Sequence, residues 1–111
     1  MIMADQVLAA ASRGERVLVV SSSRRIIRNT LEELAAAAPP SSETRVRRAH
    51  GHERIEMGAG VIRFVTPTGC RGLEADLAYV LDDKVVLGHW VVARVVWPCL
   101  LASGGTLVNA C

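Results

Sequence analysis

The sequence predicts a small α/β domain, three-layer-like, around a short parallel sheet. Three observations lead there. Arg16–Val20 (RVLVV) and Leu77–Leu81 (LAYVL) are short, nearly continuous apolar runs, the composition of strands covered on both faces. Segments with apolar residues at helical spacing alternate with those runs. The chain has 111 residues, half of them hydrophobic, enough for one core of its own without disulfides or metal.

Each element follows from its local chemistry. Ile2–Ser12 carries Val7, Leu8 and Ala11 at helical spacing, and Gly14 supplies a C-terminal stop. Arg16–Val20 is the first buried strand. Ser21–Ser23 give turn and N-cap chemistry for a helix over 24–38, where Ile27, Leu31, Leu34 and Ala38 share a face. Pro39-Pro40 ends it, and residues 39–44 read as a polar linker. Runs of β type at 54–57 and 61–66 flank Gly58-Ala59-Gly60, the pattern of a hairpin. Residues 67–75 read as a loop. Leu77–Leu81 is the second buried strand and delivers Asp82-Asp83 at its carboxyl end. Residues 84–101 carry conflicting signals: the valines favour a strand by propensity, the spacing of Val85, His89, Val92 and Val96 a helix. A helix over 84–97 is the expectation. Thr106–Ala110 (TLVNA) is a last short strand.

Composition narrows the function classes. Thirteen basic and eleven acidic residues leave a net charge of +2, which excludes a histone-like polycation. Twelve of the basic residues are arginine, and Lys84 is the single lysine, so amine chemistry has one candidate. Residues 13–71 hold eleven arginines against six acids, while residues 72–111 are net acidic. Cys70, Cys99 and Cys111 lack CxxC spacing and form neither a disulfide framework nor a zinc pattern, so a reduced, cytoplasmic setting is expected. The most apolar stretch, 85–101, is interrupted by His89, Arg94 and Pro98 and falls short of a membrane span, so no membrane partner is expected.

Two features carry candidate chemistry. The first is the acidic pair Asp82-Asp83. Ligands of open α/β sheets bind outside the carboxyl ends of the strands, where an acidic pair holds Mg²⁺ and orients water. The second is the cluster Arg45, Arg47, Arg48 and Arg54 with His50 and His52. In one extended segment alternate residues point the same way, so 48, 50, 52 and 54 are expected to form a basic stripe suited to phosphate. No aromatic residue interleaves it, so base stacking is not indicated. His50-x-His52 has no evident further ligands and makes no metal site. Arg24, Arg25 and Arg28 oppose the dipole at the start of their helix, which points weakly to an anion partner. Trp90 and Trp97 share a helical face and read as core or interface.

Arg71-Gly72-Leu73-Glu74-Ala75-Asp76 followed by LAYVLDD resembles the Walker B region of the large terminase subunits of tailed phages, in which an RG-x-x-AD segment leads into an apolar strand ending Asp-Glu. The hairpin from His52 to Phe64 is similar to the strand–glycine turn–strand that precedes Walker B there. RVLVVSSSRRIIRNTLEEL resembles the strand and helix after the P-loop helix, and TLVNA sits where the motif III coupling strand would fall. The resemblance spans nearly the whole chain in order, through motifs that are each loose. It implies a P-loop NTPase (RecA-like, helicase-like) architecture. Asp82 would be the Mg²⁺ ligand and Asp83 would stand at the catalytic base. Arg45, Arg47, Arg48, Arg54 and Arg71 are the candidate nucleic-acid contacts.

The departures shape the expectation. GxxxxGK[ST], whose backbone amides and Lys hold the phosphates, is absent. In the terminase alignment Ile2–Ser12 corresponds to the tail of the P-loop helix, so residues 1–111 read as one incomplete domain. Asp83 replaces the usual Glu. It is one methylene shorter, which displaces a water by about an ångström and costs roughly 10²-fold. The resemblance therefore implies a domain that does not hydrolyse nucleotide alone and acts by binding DNA or a partner protein. No cofactor is expected for the chain by itself. A split ATPase half, using Mg-ATP on a P-loop supplied by another chain, is one alternative. A small phage protein that binds a host factor is another. Without the P-loop strand the parallel sheet would run 106–110, 77–81, 16–20 with the hairpin appended. That leaves the 106–110 edge to pair with a second copy or a partner chain, or to be covered by the helix over 2–12.

Overall fold

The computed structural model describes residues 2–38, 44–49, 51–66, 75–81 and 106–109. The chain forms α1 (Ile2–Ser12), β1 (Arg16–Val20), α2 (Arg24–Ala37), β2 (Thr44–Arg47), β3 (Arg54–Met57), β4 (Gly60–Val65), β5 (Leu77–Val80) and β6 (Thr106–Asn109). The six strands make one mixed sheet in the order β2-β3-β4-β1-β5-β6. β4, β1, β5 and β6 run parallel, and β3 is antiparallel to both β2 and β4. The expected order β6, β5, β1 with an appended hairpin is the observed one, and the fold is α/β. The expected helix over 84–97 and most of the 67–75 loop lie outside the described residues.

Local chemistry sets the boundaries. Ser23 caps α2: its hydroxyl accepts the Ile26 N–H at 3.3 Å. Ile27, Thr30, Leu31 and Leu34 give α2 its buried face. At its end Ala38 adopts φ −65° and ψ 137°, the extended geometry imposed on a residue that precedes proline. α1 ends at Gly14, whose φ of 88° suits the left-handed C-terminal position. The hairpin turn is Gly58-Ala59. A positive φ at Gly58 and none at Ala59 is the pattern of a type II′ turn, which matches the twist of the flanking strands.

Both helices pack on the same face of the sheet. Val7, Leu8, Ala10 and Ala11 of α1 and Ile27, Leu31 and Leu34 of α2 close over Val17, Val19, Ile55, Ile62, Phe64 and Tyr79. Fully burying each large side chain of this set contributes about 1.5–3 kcal/mol. α1 lies across β1, β3 and β4, at the middle of the sheet. The apolar residues of α1 reach the central strands, where the larger core is, and this placement lends no support to the expected alternative in which the helix over 2–12 covers the β6 edge.

The opposite face alternates with this one. It carries Leu18, Val20 and Ala78, all buried, on the central strands. On β2, β3 and β4 it carries Arg45, Arg47, Arg54, Glu56, Val61, Arg63 and Val65.

Candidate functional site

Among the described residues two regions gather polar chemistry, one at the carboxyl end of the parallel strands and one on the antiparallel wing of the sheet. The first is the rim where β4, β1 and β5 end together. Ser21 N–H donates to the Val65 carbonyl at 3.1 Å, and Leu81 N–H donates to the Val20 carbonyl at 2.9 Å. These bonds fix three strand ends at one level, with the N-terminus of α2 directly after β1. Ser21 is buried, and its hydroxyl accepts the Ser23 N–H at 3.1 Å. Asp82 and Asp83 follow Leu81 in sequence and lie outside the described residues, as does Arg71.

Glu53 anchors this rim, and sequence reading missed it. Its side chain is fully buried, on the loop between β2 and β3. One carboxylate oxygen accepts from Arg24 Nη2 at 2.7 Å and the other from the Gly51 N–H at 3.0 Å. A buried charge needs such partners, because desolvation alone would cost several kcal/mol. Arg24 at the start of α2 thus has an anion partner inside the fold. The anion that Arg24 meets belongs to the chain itself and not to a partner.

Asp76, within the Walker-B-like segment, has a structural role. It accepts the Arg16 N–H at 2.8 Å and returns its own N–H to the Arg16 carbonyl at 2.8 Å. The Arg16 guanidinium adds a contact at 3.3 Å. The Arg16 backbone bond first, and then its side chain, hold the Asp76 carboxyl below the usual carboxylate range. The pair locks the start of β5 beside the start of β1.

The second region is the wing formed by β2, β3 and β4. The register places Arg47 opposite Arg54 and Arg54 opposite Arg63, one row across three strands. The neighbouring row holds Arg45 opposite Glu56. Four arginines against one glutamate leave this face with a surplus of three positive charges. Glu56 serves two of them: Arg54 Nε lies at 2.9 Å and Arg47 Nε at 3.9 Å. The Arg54 contact is close but poorly aligned, so its buried Nε–H is left without an acceptor in hydrogen-bonding geometry. Arg63 and Arg45 meet no carboxylate among the described residues.

Three of the expected nucleic-acid contacts, Arg45, Arg47 and Arg54, therefore share one face. The expected stripe 48-50-52-54 does not form. β2 ends at Arg47, and the chain then turns: His52 N–H donates to the Ala49 carbonyl at 2.9 Å, and Gly51 has φ 82°. Arg48 leaves the row and grips Glu32 of α2, at 2.6 Å from Nε and 3.3 Å from Nη2. The hydrogen bond from Arg48 lowers the pKa of Glu32. The stripe assumed one extended segment where the chain makes an antiparallel pair. Arg63 was overlooked because it stands nine residues from Arg54 in sequence. Its signal was the hairpin register, which puts it directly opposite.

An open cleft of about 410 Å³ lies elsewhere, between α1 and β5, lined by Asp5, Gln6, Ala9, Arg13, Leu77 and Tyr79. The Tyr79 hydroxyl donates to Gln6 Oε1 within it, and burial raises the pKa of the phenol. Among the described residues no group of three or more His, Cys, Asp or Glu gathers to hold a metal, and no helix is long and apolar enough to cross a membrane. No family model, curated protein or solved structure matches this chain.

Proposed function

We propose that the chain is a nucleic-acid-binding domain of P-loop-NTPase type that binds phosphate backbone through its β2–β3–β4 wing and does not hydrolyse nucleotide by itself. The observation that carries this reading is the convergence of Arg45, Arg47 and Arg54 on the face opposite α1 and α2. Guanidinium groups make charge-assisted, bidentate bonds to phosphate oxygens, which position a protein on a strand without reading its sequence. Phe64 and Tyr79 belong to the helix-covered face, so neither offers the wing a base-stacking platform. On this reading binding is electrostatic and insensitive to sequence.

The terminase-like part of the proposal draws support from the strand order. β5, the Walker-B-like strand, lies between β1 and β6, as the resemblance requires. The same order favours a second reading, in which Asp82 and Asp83 serve a P-loop from another chain with Mg-ATP. Calorimetric titration with Mg-ATP separates the two readings. Heat from the chain alone would contradict the first, and heat only with a partner present would favour the second. For nucleic acid, a labelled duplex should bind the wild type, and Arg45→Glu with Arg47→Glu should abolish that binding. Unchanged affinity in the double variant would remove the wing from the interface.

A further inference from the structure

We propose that Arg63 completes a phosphate-binding row with Arg47 and Arg54, and that a bound nucleic-acid backbone relieves the repulsion within that row. The proposal rests on the reading of the wing as a nucleic-acid interface and extends it to a residue and a linkage which that reading does not contain. Like charges directly opposite on neighbouring strands destabilise a sheet, and here two such pairs stand side by side. One carboxylate, Glu56, lies within ion-pair distance of Arg47 and Arg54. Arg63 has no acid within reach among the described residues. The buried Nε–H of Arg54 has no aligned acceptor. A sheet selected for stability alone would place Thr or Glu at one of these positions. Among the described residues one carboxylate answers three facing arginines, and a local rule left so incompletely compensated marks a functional position.

The geometry defines the ligand. Neighbouring strands stand about 4.8 Å apart, so the row spans about 10 Å, the reach of two to three phosphates of one strand. The row borders the loop between β2 and β3, whose Gly51 N–H is already taken by Glu53 at 3.0 Å, and it lies on the face opposite α1 and α2. A continuous polyanion fits better than a mononucleotide.

The test compares wild type, Arg63→Gln and Arg63→Lys by thermal unfolding and by fluorescence anisotropy with a mixed-sequence 20-base-pair DNA duplex. Without DNA, Arg63→Gln should unfold about 2 °C higher than wild type, because repulsion is relieved. It should bind the duplex about fivefold more weakly, with a salt slope shallower by about one. Arg63→Lys keeps the charge and should retain the wild-type slope and melting temperature. DNA should raise the melting temperature of wild type more than that of Arg63→Gln. A lower melting temperature for Arg63→Gln, with wild-type affinity and slope, would overturn the proposal while leaving the wing as an interface through Arg45 and Arg47. Failure of the wild type to bind the duplex would overturn both.

Discussion

At the scale of single residues, close approach and charge decide what each position tolerates. Gly60 opens β4 beneath the end of α1. A Cβ there would stand 1.8 Å from the Ala11 carbonyl oxygen and 2.6 Å from its carbonyl carbon, backbone that cannot swing aside. Gly60→Ala should therefore destabilise the fold by about 3 kcal/mol, read as a shift in the urea midpoint. An unchanged midpoint would mean that α1 does not seat on β4 this closely. Asp76 gives a pH-dependent prediction. Folding depresses its pKa, so its stabilisation is present above the unfolded value of about 3.9 and is lost as pH falls through the folded one. Asp76→Ala should cost about 1 kcal/mol at pH 7, partial exposure keeping the loss small, and the gap to wild type should narrow by pH 3. An equal gap at both pH values would show that the carboxylate charge plays no part. Asp76 was visible in the sequence only as part of a Walker-B-like segment. Its clamp on Arg16 joins residues sixty positions apart, and no local pattern encodes that.

At the scale of elements, legibility followed the strength of the local code. α1, β1 and α2 were readable because periodicity, caps and breakers agree: Ser23 begins α2, and the proline after Ala38 ends it. The hairpin was readable from its glycines, although β4 begins at Gly60 rather than at Val61. β2 was missed. Thr44–Arg47 alternates correctly, but Val46 is its only large apolar residue, and the Pro-Pro-Ser-Ser stretch before it reads as linker. Missing β2 also misplaced the arginines, because the partner strand is what turns Arg47 towards Arg54. At the other end of the sheet order, β6 has β5 as its strand neighbour. Of the alternatives expected for this edge, pairing with a second copy predicts a dimer by size exclusion with light scattering and slow amide exchange over 106–109. A strict monomer with fast-exchanging 106–109 amides would end the pairing proposal.

At the scale of the whole molecule, both described helices stand on one face of the sheet, and the charge gathers on the other. A net charge of +2 over the chain conceals a wing face with a surplus of three. Bulk composition averaged that asymmetry away, and the topology restored it. Ser21 after β1, Arg24 at the start of α2 and Glu53 on the loop before β3 gather at the carboxyl rim, and the arginine row crosses the sheet level with Leu18 of β1. The proposed hold of the wing on phosphate backbone sets how binding responds to salt. The most direct test is duplex binding by anisotropy across a salt series from about 50 to 200 mM. Three phosphate contacts predict a slope of log Kobs against log salt of about −3, equal for unrelated sequences. A slope near zero, or no binding at 50 mM salt, would contradict the claim.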